Sequence, residues 1–241
     1  MRTIDCLNIY FIVNYPYMKT EKIFIETAAT VLVKKTLSEQ IYEVLREDII
    51  NGNINLGDRL TNRELQERFQ VSSTPVRDAV NILFHDGLVR TVTRSGAQLI
   101  DFTVQYATEV NEFISALSCE ALSLSVKNSS PTDVVNDLYK WQSLMETAAE
   151  DTYYDYDYQY HKTFFRYSMN HFLQDAFKRV NLVRSFLFRY AIRTTADKQI
   201  SVAQHTGITD AYAAGNYQAA RERLEEYFNY GLQCAIHYYS Q

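Results

Sequence analysis

Three side chains of this sequence have the chemistry to hold a metal ion. Asp157 and His161 lie four residues apart in DYDYQYHKTFFRYS, which on a helix places them one turn apart on one face. Tyr154, Phe164 and Ser168 complete their stripe. The stripe should face the core, where an unpaired carboxylate is expensive. His205 shares a face with Val202, Ile208 and Tyr212 and should also point inward. A carboxylate and two imidazoles converging from two helices suit Zn, Ni or Mn better than Ca. The competing reading is a buried Asp–His hydrogen bond beside an unrelated core histidine, and the residues taken alone lean towards it. If the metal were catalytic, three protein ligands would leave a position for water, so a metal-dependent hydrolase is one candidate. No nucleophile or acid–base constellation accompanies it. His85, His171 and His237 stand alone and read as structural or surface residues.

The elements that must position these groups are mostly helical. Seven Gly and three Pro in 241 residues argue against a turn-rich β architecture. With 46% hydrophobic and 22% charged residues the chain is globular, and 19 Tyr and 13 Phe predict an aromatic core. Cys6, Cys119 and Cys234 are scattered with no CxxC pair, which favours a reducing, cytoplasmic setting over a disulfide framework. The run LNIYFIV near the N-terminus is too short to span a bilayer. No membrane partner is expected. Met18 would serve equally well as a start, so residues 1–17 are treated as an optional part of an N-terminal extension, 1–35, with no assigned role.

From about Phe102 helical periodicity takes over until the end. Val110, Phe113, Ile114, Leu117, Ala121 and Leu124 should form an apolar face. Further helices are predicted over 132–149, 152–169, 171–195, 198–214 and 217–238, as an antiparallel bundle.

The N-terminal third reads differently. A helix is predicted over 37–51, with Ile41, Val44, Leu45, Asp48 and Ile49 on one face and Ser38 near its start. Thr61 and Glu64 have capping-box spacing, predicting a short helix over 61–69. In VSSTPVRDAVNILFHDGL, Ser72 or Ser73 can cap a helix over 72–86, and Pro75 fits its first turn. Val76, Ala79, Val80 and Leu83 would anchor that helix, leaving Thr74 and Arg77 on other faces. LVRTV and AQLID flank TRSG as a small hairpin. Helix, helix–turn–helix and hairpin make a winged helix–turn–helix, whose third helix would enter the major groove. Net charge is −5, and residues 37–101 hold seven Arg against ten Asp and Glu. DNA binding must therefore depend on a local patch.

The segment carrying INGNINLGDRL, NRELQERF, VSSTPVRDAV, DGLV and Gly96 resembles the DNA-binding domain of the GntR family of bacterial regulators. That resemblance implies DNA contacts from Arg63, Thr74 and Arg77, with Arg94, Ser95 and Gly96 at the wing. Ser73 stands where the family usually has Arg, which implies an altered operator preference, and Gln70 stands where Gly is common. The second half is similar to the FCD effector domain of the FadR-like branch, through YDYDYQYHKTFF, SMNHFL and QHTGITDAYAAGNYQAARERL. That similarity implies an all-helical pocket holding a divalent metal by one Asp and three His, often with a carboxylate effector. By position the ligands are Asp157, His161 and His205. The fourth position falls on Tyr227, leaving the set incomplete, and Ala116 replaces a frequent Arg of the first effector helix, although Glu120 remains. Tyr227 lies on an inward stripe with Ala220, Leu224, Gly231 and Ala235. A phenol with an unperturbed pKa near ~10 replaces imidazole poorly, but it can donate a hydrogen bond to an effector carboxylate or to water on the metal.

The expected fold is therefore mainly α, with a winged helix–turn–helix over 36–102 and an all-helical effector and dimerisation domain over 103–239. The expected protein is a ligand-responsive regulator, a repressor rather than an enzyme, binding palindromic double-stranded operator DNA as a homodimer. Its effector is a small molecule. The rivals are the hydrolase and a degenerate scaffold that binds DNA without a ligand.

Overall fold

The computed structural model describes residues 35–188 and 195–241; the readings placed on residues 1–34 fall outside it. Helix α1 (Leu37–Asn51) has the predicted bounds, with Thr36 as its cap. Thr36 Oγ1 accepts from Glu39 N, and the Glu39 carboxylate accepts from Thr36 N at 2.7 Å, a reciprocal cap. Ile41, Leu45 and Ile49 are buried. Val44, expected on that face, is exposed, because the buried stripe runs along the i, i+4 row and Val44 lies beside it. Asp48 does turn towards the neighbouring helix, where Arg68 Nη2 meets it at 2.6 Å.

Helix α2 (Asn62–Phe69) begins with the predicted Thr61–Glu64 capping box. Gln70 then takes φ 54° and ψ 45°, a left-handed conformation that costs a residue with a Cβ about 1–2 kcal/mol. Its own Nε2 offsets part of that by donating to the Glu67 carbonyl at 2.7 Å. Helix α3 (Ser73–His85) buries Val76, Ala79, Val80 and Leu83, as its spacing required. Ser72 occupies the cap position, but its side chain makes no capping bond.

The hairpin is β2 (Val89–Thr93) and β3 (Gly96–Leu99). A further strand, β1 (Arg59–Thr61), pairs antiparallel with β3, giving the order β1–β3–β2. Three residues are too few to show an alternating pattern, so β1 was not legible. Gly96 is set by this third strand. Its φ is +152°, and a Cβ there would lie 2.0 Å from the Leu60 carbonyl oxygen.

Six further helices follow among the described residues: α4 (Val104–Asn128), α5 (Pro131–Thr147), α6 (Glu150–Tyr167), α7 (His171–Phe188), α8 (Thr195–Ala213) and α9 (Tyr217–Tyr239). They match the predicted helices, with α7 described only to Phe188. The core is aromatic, with Tyr160, Phe164, Phe165, Phe177, Tyr212 and Phe228 almost fully buried. On α4, Val110, Ile114 and Ala121 face inward as expected, whereas Phe113 is exposed. Asn111, Ser118 and Ser125 are buried in the apolar stripe, which rotated the true face away from Phe113. No helix among the described residues is long and apolar enough to cross a membrane.

Candidate functional site

Helices α6, α8 and α9 bring together Asp157, His161, His205 and Tyr227. His161 and His205 are buried, and the Asp157 side chain is 17% exposed. The two Nε2 atoms are 3.2 Å apart. Asp157 Oδ1 lies 3.3 Å from His205 Nε2 and 3.8 Å from His161 Nε2. Four ligands at zinc–nitrogen distances in a tetrahedron would have edges of roughly 3.3 Å, so the triangle has the size a first-row metal needs. Tyr160 fixes α8 from below: its hydroxyl donates to the His205 carbonyl at 3.0 Å, and its ring meets the His205 ring edge-on.

Proton positions sharpen the fit. His205 Nδ1 is 2.7 Å from the Ser201 carbonyl, which can only accept, so this nitrogen carries the proton. A neutral His205 then turns an Nε2 lone pair towards the Asp157 carboxylate. Two acceptors so placed require a cation between them, whether a proton or a metal ion. Burial, helped by His205 and Arg184, lowers the His161 pKa to about 3 against the pull of Asp157, so His161 is a neutral lone-pair donor. Its Nδ1 has no hydrogen-bond partner among the described residues. Burial works to raise the Asp157 carboxyl. With a proton on His205 Nε2 as that cation, the hydrogen bond it donates and the charges of His205 and Arg184 outweigh burial and hold Asp157 well below the usual carboxylate range.

Tyr227 donates to Asp157 Oδ1 at 2.9 Å, and its ring packs on those of His161 and His205. Burial and the Asp157 charge push its phenol well above the ordinary value, so it acts as a neutral donor that orients the carboxylate. Ala116 and Glu120 are both exposed on α4, away from this interior.

A cavity of about 660 Å³ opens beside the cluster, with Asp157, Tyr227, Tyr153 and Arg184 in its wall. Ile49, Ile50 and Asn51 at the end of α1 also line it. Arg184 was not singled out in the sequence. It follows Val180 by four residues and precedes Leu187 by three, and a lone charge within an apolar stripe was the available signal.

The winged part presents a second surface. Ser73, Thr74 and Arg77 are exposed at the N-terminal end of α3, opposite its buried side. Arg63 is exposed on α2 and paired with Glu67 at 2.9 Å. Arg94 and Ser95 are exposed in the β2–β3 turn. Ser95 Oγ accepts from Arg59 Nη2 at 2.9 Å, so Arg59, unremarked in the sequence, belongs to the wing. Gly96 is buried inside the sheet. Its place is explained by the approach of β1, and the turn surface belongs to Arg94 and Ser95.

Residues 37–99 match the model of bacterial regulatory proteins of the gntR family, and residues 109–230 match the FCD domain. The chain belongs to the GntR family and carries an FCD domain. An uncharacterised HTH-type regulator of Bacillus subtilis, YdhC, is 23% identical over 82% of this chain and 90% of its own length. The Escherichia coli HTH-type transcriptional repressor RspR is 25% identical over 52% of this chain and 57% of its own. Among solved structures, E. coli McbR/YncC superposes with a TM-score of 0.66 at 19% identity, over 86% of this chain and all of that one. A GntR regulator from Rhodococcus sp. RHA1 gives 0.66 at 20% identity over 83% of this chain and 97% of that one. These structures share the fold. A GntR regulator with an FCD domain pairs a DNA-binding reader with an effector-binding bundle, and that membership does not favour the hydrolase reading.

Proposed function

We propose that this GntR regulator is a cytoplasmic homodimeric repressor that reads a palindromic operator through α3 and responds to a small metabolite in its helical pocket. The observation that carries the reading is the division of α3. Its apolar side is sealed in the core, while Ser73, Thr74 and Arg77 stand free at the end that enters a groove. Arg77 is the base-reading residue. Arg63, Thr74, Arg94 and Ser95 hold the backbone and the wing, with Gly96 supplying the strand geometry beneath it. Two-fold symmetric half-sites follow from a two-fold dimer.

Asp157, His161 and His205 would hold a divalent metal of the Zn, Ni or Mn type, supported by the acceptor triangle and the fixed His205 tautomer. Such an ion would supply a positive centre for an anionic effector. Tyr227 orients Asp157 and replaces a fourth protein ligand.

Selection of bound sequences from a random DNA pool, with wild type and Arg77→Ala, tests the reading. A symmetric consensus is expected from wild type. Arg77→Ala should lose about 1–3 kcal/mol for that consensus while keeping its affinity for random DNA. Equal losses on both DNAs would make Arg77 a phosphate contact, and no consensus would remove the regulator reading.

A further inference from the structure

Arg184 is 7% exposed, and its Nε and Nη2 have no hydrogen-bond partner among the described residues. The guanidinium lies among rings, its Cζ 5.0 Å from the Phe188 centroid, 5.1 Å from that of Phe228 and 5.7 Å from that of Tyr227. It forms no ion pair within 4.0 Å with Asp157, whose nearest donors are Tyr227 and the histidines. A buried guanidinium with unmet donors is a costly arrangement, and here it lines the cavity described above. Its unmet Nε and Nη2 lie on adjacent nitrogens of the planar fork. That is the edge which receives a carboxylate through two parallel bonds.

We propose that this cavity binds a monocarboxylate with an aromatic or apolar body, anchored on Arg184, whose far end rests on Ile49–Asn51 of the DNA-reading domain. The proposal rests on the effector reading and gives it a ligand class and a coupling route. The body is apolar because Tyr153, Tyr158, Phe186 and Phe188 form much of the remaining wall. The head carries a single charge because Asp155 and Asp157 share the cavity and would repel a dianion such as phosphate. A metal on Asp157 would neutralise that carboxylate and strengthen binding without being required for it. Since α1 supplies part of the wall, the ligand would touch the DNA-reading domain directly, at its first helix. Effector binding can thus shift the reader without a relay through the bundle.

Calorimetric titration of full-length, chelator-treated protein tests the anchor, with phenylacetate, its neutral amide phenylacetamide, and phenyl phosphate as probes. Phenylacetate should bind, with the amide weaker by about tenfold or more, since charge-assisted paired bonds are the strong ones. Arg184→Met should lose phenylacetate to a similar extent, and Arg184→Lys should retain part of it. Circular dichroism melts verify that both variants are folded. Equal affinity for acid and amide, undiminished binding by folded Arg184→Met, or no binding of phenylacetate by wild type up to millimolar concentration would each overturn the anchor. Tighter binding of phenyl phosphate would overturn the monocarboxylate assignment. Hydrogen exchange with saturating phenylacetate should protect the end of α1 as well as α6 and α7; protection confined to α6 and α7 overturns the contact with the reader domain. DNA selection on ligand-free protein is a separate measurement, so loss of the regulator reading and loss of this site are distinguishable.

Discussion

Tyr227→Phe isolates one hydrogen bond at the centre of the bundle. The phenol is 5% exposed and donates to Asp157 Oδ1 at 2.9 Å. Removing the hydroxyl leaves the ring in place against His161 and His205, so no large cavity opens. A hydrogen bond to a charged group contributes about 1.5–3 kcal/mol. Asp157 keeps its His205 neighbour at 3.3 Å and some contact with the cavity, which places the expected loss at the lower end, about 1.5 kcal/mol. Urea unfolding of chelator-treated wild type and variant measures it, provided the two share one denaturant slope. An unchanged midpoint would mean that Tyr227 does not hold Asp157 in solution. A loss above about 3 kcal/mol would point to ring repacking, because it exceeds what one such bond supplies.

Restoring imidazole with Tyr227→His should tighten divalent-metal binding by about tenfold or more, on the scale by which groups around a metal tune its affinity; zinc and nickel uptake by chelator-treated protein would show it, and uptake no better than wild type would mean that position 227 does not reach the metal. Ser73→Arg should enrich a guanine-containing half-site by about 1–3 kcal/mol, and an unchanged selected consensus would show that residue 73 does not face the groove. Gln70→Gly should raise stability by about 0.5–1 kcal/mol, since it relieves the left-handed strain but gives up the bond to Glu67 and some unfolded-state advantage; a lower thermal midpoint would contradict that balance.

The helices were legible because each carries a periodic apolar face and most have a readable boundary. Asn128-Ser-Ser-Pro131 and Gly215-Asn216 marked breaks that the structure keeps. Errors arose where one face is mixed. Val44 and Phe113 are apolar and fit helical spacing, yet both are exposed, while Asn111, Ser118 and Ser125 occupy the interior. Small polar residues allow close helix approach and can bond across it, as Ser125 does with Tyr212 at 3.0 Å. Hydropathy alone ranks them as surface. β1 was invisible for a different reason: a three-residue strand exists through its partner β3, and the partner is distant in sequence.

The central cluster divides the same way. Asp157 and His161 are readable because one helix carries both, and spacing along a helix is a local property. Their meeting with His205 and Tyr227 is tertiary, and only inward stripes on three separate helices hinted at it. Arg184 was missed because its meaning depends on what is lacking around it. A charged residue in an apolar stripe reads as a tolerated exception until its surroundings show that no carboxylate among the described residues pairs with it directly. The same reasoning explains why its position matters more than its identity. On α7 it lines a space shared by the metal-type cluster and the end of α1, so the proposed ligand would lie where the helical bundle meets the winged domain. A regulator needs its effector to have different interaction energies in two arrangements of the reader. A cavity wall shared by both domains would supply that difference directly if the proposed ligand binds there, because a movement of α1 would change the space left for it.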